Sequence, residues 1–183
     1  MRWWNIPNLL SLSRLALTPF SVHAVLAGKC RAALVLFFIA AVTDILDGPL
    51  ARRFGCTTRL GAYLDPIADK AMLSATYLAA GIAGLVPGWL VALIFGRDFL
   101  ILALAAAALL FTRHRDFPPS VWGKLSTAVQ TLVGVLVVLG HAFPTLRLPP
   151  GPLLAAAAAA TAWSGLHYLW RALRMLQRPR RTN

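Results

Sequence analysis

Long apolar stretches fill most of this chain of 183 residues, and short polar or Pro/Gly-containing breaks separate them. Hydrophobic residues make up 58% of the sequence, and each stretch is near or above the roughly 20 residues that a helix needs to cross a bilayer. The pattern therefore predicts a single all-α integral membrane domain over residues 1–183, not a soluble protein with an anchor. Six transmembrane helices are predicted, over residues 7–27, 32–52, 61–86, 88–111, 122–143 and 151–173.

The distribution of lysine and arginine predicts how these spans are oriented, because cytoplasmic loops carry the excess of positive charge. If the N-terminus is cytoplasmic, the basic residues that fall on the outer side are Lys29, Arg31 and Arg147. This orientation places both termini in the cytoplasm and predicts a protein of the cell (inner) membrane. Most of the formal net charge of +12 would then lie beside the inner leaflet of the membrane. It would attract anionic membrane lipids and does not require a nucleic acid partner.

Four of the six acidic residues lie in one short region, from Asp44 to Asp69, and the chain has no glutamate. A carboxylate at the centre of a membrane helix is disfavoured by roughly 2.5–3.5 kcal/mol, so four of them need compensation. Asp44 and Asp47 are three residues apart, whereas Asp65 and Asp69 are four apart, so each pair lies on one side of a helix. Two such faces opposed in a bundle would form a compact carboxylate cluster near the cytoplasmic face.

A carboxylate cluster of this kind suits hard cations. Oxygen ligands favour Mg²⁺ or Mn²⁺ over zinc, and no Cys or His lies in the helical register of the cluster. Two ions about 3.5–4 Å apart would support in-line displacement at phosphorus. A structural role and a cation transporter are the alternatives for intramembrane acids. An intramembrane prenyltransferase, which holds a diphosphate on Mg²⁺ through Asp-rich helices, is a more remote alternative.

Small and basic residues around the acids indicate a phosphorylated ligand. Gly48 and Gly61 would let a ligand approach the backbone closely, and Arg52 would reach a phosphate. Other basic residues lie inside predicted spans, where each needs a polar cavity or an acidic partner: Arg14, Arg97 and Lys124. Two interpretations of Arg97 remain open, a neutralising pair with Asp98 or a pocket for an anionic acceptor.

The acidic region resembles the signature of the CDP-alcohol phosphatidyltransferases, Asp-x-x-Asp-Gly-x-x-Ala-Arg, eight residues, then Gly-x-x-x-Asp-x-x-x-Asp. Every defining position is present, from Asp44 to Arg52 and from Gly61 to Asp69. Pro49 departs from the family, which often has a bulky apolar residue there. The resemblance extends over most of the chain, and flanking segments are similar to phosphatidylglycerophosphate synthases and to the cardiolipin synthases of the same fold. These segments are residues 5–14, 65–70, 96–98 and 123–130.

The resemblance implies a six-helix fold with a polar cavity open to the cytoplasm, and a homodimer. It implies two divalent ions, Mg²⁺ or Mn²⁺, held by Asp44, Asp47, Asp65 and Asp69. Asp69 would also act as the general base. CDP-diacylglycerol would bind through its CDP group at Asp44, Asp47, Gly48, Ala51, Arg52, Gly61 and Asp65.

On this resemblance, the expected reaction transfers a phosphatidyl group from CDP-diacylglycerol to a glycerol-type hydroxyl and releases CMP. The first-choice acceptor is glycerol 3-phosphate, as in a phosphatidylglycerophosphate synthase. Its phosphate would be bound by Arg97 and Lys124, with Arg14 and Lys70 as further ligands. The alternative acceptor is phosphatidylglycerol, as in a cardiolipin synthase.

Overall fold

The computed structural model describes the backbone of residues 6–54, 59–111 and 120–176, and the side chains of residues 12–43, 68–107 and 120–174. These residues form six α-helices and one short 3₁₀ helix, without a strand. The α-helices are α1 (Ile6–Leu26), α2 (Cys30–Phe54), α3 (Arg59–Ile82), α4 (Gly88–Phe111), α5 (Val121–Ala142) and α6 (Pro150–Leu176). The 3₁₀ helix, Pro144–Leu146, lies between α5 and α6. The predicted all-α fold is therefore confirmed for the described residues.

Two glycines end α1 and α3, where the backbone adopts a positive φ. Gly28 has a φ of 69° and Gly84 a φ of 73°, a left-handed conformation that glycine adopts without steric cost. At the end of α1 the N–H of Lys29 donates to the carbonyl oxygen of Ala24 at 2.8 Å, which satisfies the last turn. The same arrangement stops α3 at Ile82, so the sequence-based prediction that this helix runs to residue 86 was wrong.

The chain divides into two compact units. The first unit consists of residues 1–87 and 134–148, and the second of residues 88–133 and 149–183. In the first unit α1 packs against both α2 and α3, and in the second α4 packs against α6. The acidic region lies in the first unit, whereas Arg97 and Lys124 lie in the second.

Small side chains dominate the buried positions of the first unit. Small residues let helix backbones approach one another closely, which is how helices associate in membranes. The buried alanines of α1, α2 and α3 are Ala24, Ala33, Ala40, Ala68, Ala79 and Ala80.

Large apolar side chains are exposed on helices of both units. Phe38 is 70% exposed and Phe99 is 73% exposed, whereas Gln130 and Thr161 are fully buried. These two polar residues satisfy each other, since Nε2 of Gln130 donates to Oγ1 of Thr161 at 2.9 Å. Apolar side chains on the outside and paired polar groups inside are the arrangement that lipid requires.

Two of the described helical segments combine the length and the apolar composition that a membrane crossing needs. They are Gly88–Ala107 in α4 and Val121–Ala142, which is the whole of α5. Within α1 and α2, Leu12–Leu26 and Cys30–Thr43 are shorter apolar segments. Six crossings and a cavity open to the cytoplasm remain predictions.

Candidate active site

The predicted metal and CDP ligands all lie on α2 and α3. Helix α2 carries Asp44, Asp47, Gly48, Ala51 and Arg52, and α3 carries Gly61, Asp65 and Asp69. Because both segments are helical, the two acid pairs keep the spacing that puts each pair on one side of its helix. Pro49 does not end α2, which continues to Phe54. Apart from Asp69, the side chains of this set lie outside the described residues, so the carboxylate cluster stays a prediction.

Asp69 forms an ion pair with Arg14, which lies on α1. Nη1 of Arg14 donates to Oδ1 of Asp69, and the side chain of Arg14 is 2% exposed while that of Asp69 is 51% exposed. A buried arginine within an apolar helix needs a counter-charge, which the sequence also required of Arg14. The structure thus brings one predicted acceptor ligand into contact with the predicted general base.

The two lysines of the predicted acceptor set differ in exposure. Lys70 follows Asp69 on α3 and is half-buried. Lys124 lies in the first turn of α5 and is exposed. That turn is fixed by Ser120, whose Oγ accepts a hydrogen bond from the N–H of Gly123 at 3.0 Å, as an N-cap residue does. Lys124 therefore presents an accessible ammonium group from a well-defined helix start.

Arg97 is the centre of a buried hydrogen-bond network in the second unit. Its Nη2 donates to Oγ of Ser164 at 2.7 Å and to the carbonyl oxygen of Gly123 at 3.3 Å. Its Nε also donates to Oγ of Ser164, at 3.2 Å, and its Nη1 donates to Oδ1 of Asp98 at 3.0 Å. The guanidinium carbon lies 5.9 Å from the centroid of the Tyr168 ring. The neutralising pair with Asp98 is present, and the guanidinium of Arg97 also donates to Gly123 on α5 and to Ser164 on α6.

Sequence reasoning did not identify Ser164 or Tyr168. The hydroxyl of Tyr168 accepts a hydrogen bond from the N–H of Ser120 at 2.8 Å. A Cβ atom at Gly123 would lie 2.7 Å from that hydroxyl oxygen, so the close approach of Tyr168 requires glycine there. The sequence indicates that an arginine inside an apolar helix needs polar partners. Spacing along the chain does not show which residues of the other helices are those partners.

Replacing Arg97 with glutamine is expected to lower the free energy of unfolding by about 3 kcal/mol, because removing one partner of a buried ion pair costs roughly 3–5 kcal/mol. Denaturant unfolding in detergent, followed by tryptophan fluorescence, measures the change. Arg97→Lys keeps the charge but loses the planar fork, so an intermediate loss is expected. Ser164→Ala is the uncharged control and should cost about 1 kcal/mol. Unchanged unfolding of Arg97→Gln would show that the network does not stabilise the second unit.

Most of the chain matches the model of a known protein family. The family model described as CDP-alcohol phosphatidyltransferase matches residues 4–168 of the chain. The matched range covers α1 to α5 and most of α6, and it includes every predicted site residue.

Three similar proteins illustrate the range of relatives. A protein named probable phosphatidylglycerophosphate synthase, from Mycobacterium tuberculosis, is 35% identical over 176 residues, which cover 93% of this chain and 82% of that protein. The CDP-diacylglycerol–glycerol-3-phosphate 3-phosphatidyltransferase of Aquifex aeolicus is 38% identical over 143 residues, 73% of this chain and 78% of that protein. The cardiolipin synthase (CMP-forming) of Rattus norvegicus is 32% identical over 192 residues, 90% of this chain and 61% of that protein.

Proposed function

Since this chain belongs to the CDP-alcohol phosphatidyltransferase family, we propose that it transfers a phosphatidyl group from CDP-diacylglycerol to glycerol 3-phosphate and releases CMP. The observation that carries the proposal is the complete family motif on α2 and α3. Similarity to two proteins named for phosphatidylglycerophosphate synthesis over much of their length supports it. The second candidate is transfer to phosphatidylglycerol, which the 32% identity to a cardiolipin synthase favours.

The proposed setting is a single membrane domain of six spans in the cell (inner) membrane, with both termini and a polar cavity on the cytoplasmic side. Alternating spans would bring the ends of α1 and α5 to the same side of the membrane. Consistent with this, Nε of Arg31, at the start of α2, donates to the carbonyl oxygen of Ala142, at the end of α5, at 3.4 Å. We also propose that the chain forms a homodimer.

The acidic residues of α2 and α3 would hold two divalent ions, Mg²⁺ or Mn²⁺. Four carboxylates form a donor set of hard oxygen ligands, which fits these ions. When bound, the ions supply charge neutralisation for the diphosphate and for the leaving CMP. The proposed ligands are Asp44, Asp47, Asp65 and Asp69.

The CDP group would bind along the same two helices. Gly48 and Gly61 leave room for the nucleotide beside the backbone, and Arg52 supplies a guanidinium for a phosphate oxygen. The proposed contacts of the CDP group are Asp44, Asp47, Gly48, Ala51, Arg52, Gly61 and Asp65.

Asp69 would take the proton of the acceptor hydroxyl. As that oxygen forms its bond to the phosphorus of the phosphatidyl group, the bond from the same phosphorus to the CMP oxygen breaks, and CMP leaves with the electron pair. The hydrogen bond from Nη1 of Arg14 restricts the orientation of the Asp69 carboxylate. We therefore assign Arg14 the positioning of this base, in addition to its predicted role as an acceptor ligand.

Basic residues would contribute to binding of the acceptor phosphate in two ways, some as direct ligands and one by positioning a helix. The exposed Lys124 is proposed as a direct ligand. Arg97, whose donors are engaged with the protein, would act by fixing the carbonyl group of Gly123 and so the start of α5. Lys70 and Arg14 are proposed as further ligands, because they lie beside Asp69 in the first unit.

CMP release by the purified chain in lipid tests the proposal. With CDP-diacylglycerol and Mg²⁺ or Mn²⁺, release is expected with glycerol 3-phosphate and not with phosphatidylglycerol. Lys124→Gln should raise KM for glycerol 3-phosphate about tenfold and leave unfolding unchanged, because this side chain is exposed. Release with phosphatidylglycerol alone would assign the cardiolipin synthase reaction instead. Release with neither acceptor would contradict both candidates.

A further inference from the structure

A cavity of about 400 Å³ lies in the first unit, where α1 turns into α2 and where α5 ends. Its lining consists of Gly28, Lys29, Cys30, Arg31, Ala32, His141 and Ala142. Arg14, the partner of Asp69, precedes the end of α1 by 12 residues, which corresponds to about 18 Å along the helix axis. The cavity is therefore separate from the candidate active site.

The cavity is basic and has no described counter-charge. Lys29 and Arg31 line it, and both side chains are exposed. The one acidic side chain described in the first unit is Asp69, which is paired with Arg14. Cavities of a few hundred cubic ångströms that two cationic residues line suit ligands that carry a phosphate group.

Arg31 is held in an orientation that favours a ligand. Its Nε donates to the carbonyl oxygen of Ala142 at 3.4 Å, and its guanidinium carbon lies 5.2 Å from the centroid of the Phe143 ring. The hydrogen bond engages Nε and the ring lies beside the guanidinium carbon, so the two terminal nitrogens can bind an anion in bidentate fashion. Nδ1 of His141 donates to the carbonyl oxygen of Val137 at 2.8 Å, so this ring is held by its own helix, and Lys29 and Arg31 are the cavity residues with N–H groups for an anion.

Lys29 and Arg31 are exceptions to the predicted excess of basic residues on the cytoplasmic side of the membrane. In the predicted orientation this end of the first unit faces the outer side of the membrane, where basic residues are disfavoured. Lys29 and Arg31 are two of the three lysines and arginines predicted on that side. The predicted orientation therefore does not explain the presence of Lys29 and Arg31, whereas binding of an anionic ligand would explain it.

Apolar side chains that flank the cavity in sequence favour a lipid over a free ion. Leu26, which precedes it, is 46% exposed, and Phe143, which follows it, is 40% exposed. Helix α2 runs on from the cavity with Val35 and Phe38 exposed by 58% and 70%. Acyl chains attached to a phosphate in the cavity would cover such a surface, whereas inorganic phosphate would leave it bare.

We propose that this cavity binds the phosphate of an anionic membrane lipid in the leaflet opposite to the active site, with Lys29 and Arg31 as its ligands. The site is separate from phosphatidyl transfer and does not depend on which acceptor the enzyme uses.

Native mass spectrometry of the chain in detergent at low salt, titrated with phosphatidylserine, tests the proposal, because this anionic lipid is neither of the two candidate acceptors. The double variant Lys29→Gln/Arg31→Gln is expected to bind the first anionic lipid about 30-fold more weakly than the wild type. The charge-matched control Arg174→Gln/Arg178→Gln, of which Arg174 lies in the last turn of α6 and Arg178 lies outside the described residues, should retain the wild-type affinity for that lipid. Lys29→Gln alone changes an exposed side chain and should weaken binding about fivefold. This single variant provides the test if the double variant does not fold.

Four results would overturn the proposal. Equal affinity of the wild type and the double variant would show that the cavity does not bind the lipid. Equal binding of phosphatidylcholine, or an equal loss in the control variant, would show that the charges act without a site. Displacement of phosphatidylserine by millimolar inorganic phosphate would assign the cavity to free phosphate, whereas unchanged lipid binding in phosphate is expected.

Discussion

Asp69→Asn is expected to reduce CMP release from CDP-diacylglycerol by about 10²- to 10⁴-fold, the contribution typical of a positioned general base. The amide keeps the shape of the side chain but cannot accept the hydroxyl proton. The measurement is kcat at saturating acceptor and saturating Mg²⁺, with the folded fraction determined by size-exclusion chromatography. Turnover within a few-fold of the wild type would remove Asp69 from the role of base.

The same substitution also weakens the ion pair with Arg14, so activity and stability must be measured separately. Loss of a fully buried pair costs roughly 3–5 kcal/mol, but the Asp69 side chain is 51% exposed, so about 1–2 kcal/mol is expected. The double variant Arg14→Gln/Asp69→Asn removes both charges and should recover part of the lost stability without recovering CMP release. The non-additive part of the stability change measures the coupling of the two residues. Recovery of activity together with stability would mean that Asp69 acts only through folding.

The helices could be predicted from the sequence because apolar length and Pro/Gly punctuation are local properties. The predicted spans begin and end within a few residues of the observed helices, except at the end of α3. There the residues from 83 to 86 are apolar enough to continue a span, but the positive φ of Gly84 ends the helix. Whether a glycine adopts that conformation depends on the hydrogen bonds of the turn, and hydropathy does not report them.

Only the part of the candidate site whose residues lie close together along the chain could be predicted from the sequence. The acidic motif lies within 26 residues and identifies the family without any knowledge of packing. The partner of Arg14 is 55 residues away on another helix, and the partner Ser164 of Arg97 is 67 residues away. The sequence shows that each buried arginine needs a partner, but the packing of α1 on α3 and of α4 on α6 decides which residue it is.

Removal of divalent ions is expected to lower CMP release by at least about 10³-fold, because neutralising the diphosphate is worth several kcal/mol in the transition state. Dialysis against a chelator followed by addition of Mg²⁺ or Mn²⁺ should restore the rate. Full activity in the chelator would contradict the proposed metal site.

Binding of Mn²⁺, followed by electron paramagnetic resonance, tests the proposed ligands without relying on activity. The wild type is expected to bind Mn²⁺ in the presence of CDP-diacylglycerol, and Asp65→Asn should weaken that binding by at least about tenfold, because the substitution removes a charged oxygen ligand. Asp116→Asn is the matched control, since it removes an acid from outside the motif and should leave both Mn²⁺ binding and CMP release unchanged. If the two variants lose Mn²⁺ equally, the ions are attracted by overall charge and the carboxylates of α2 and α3 do not form a specific site.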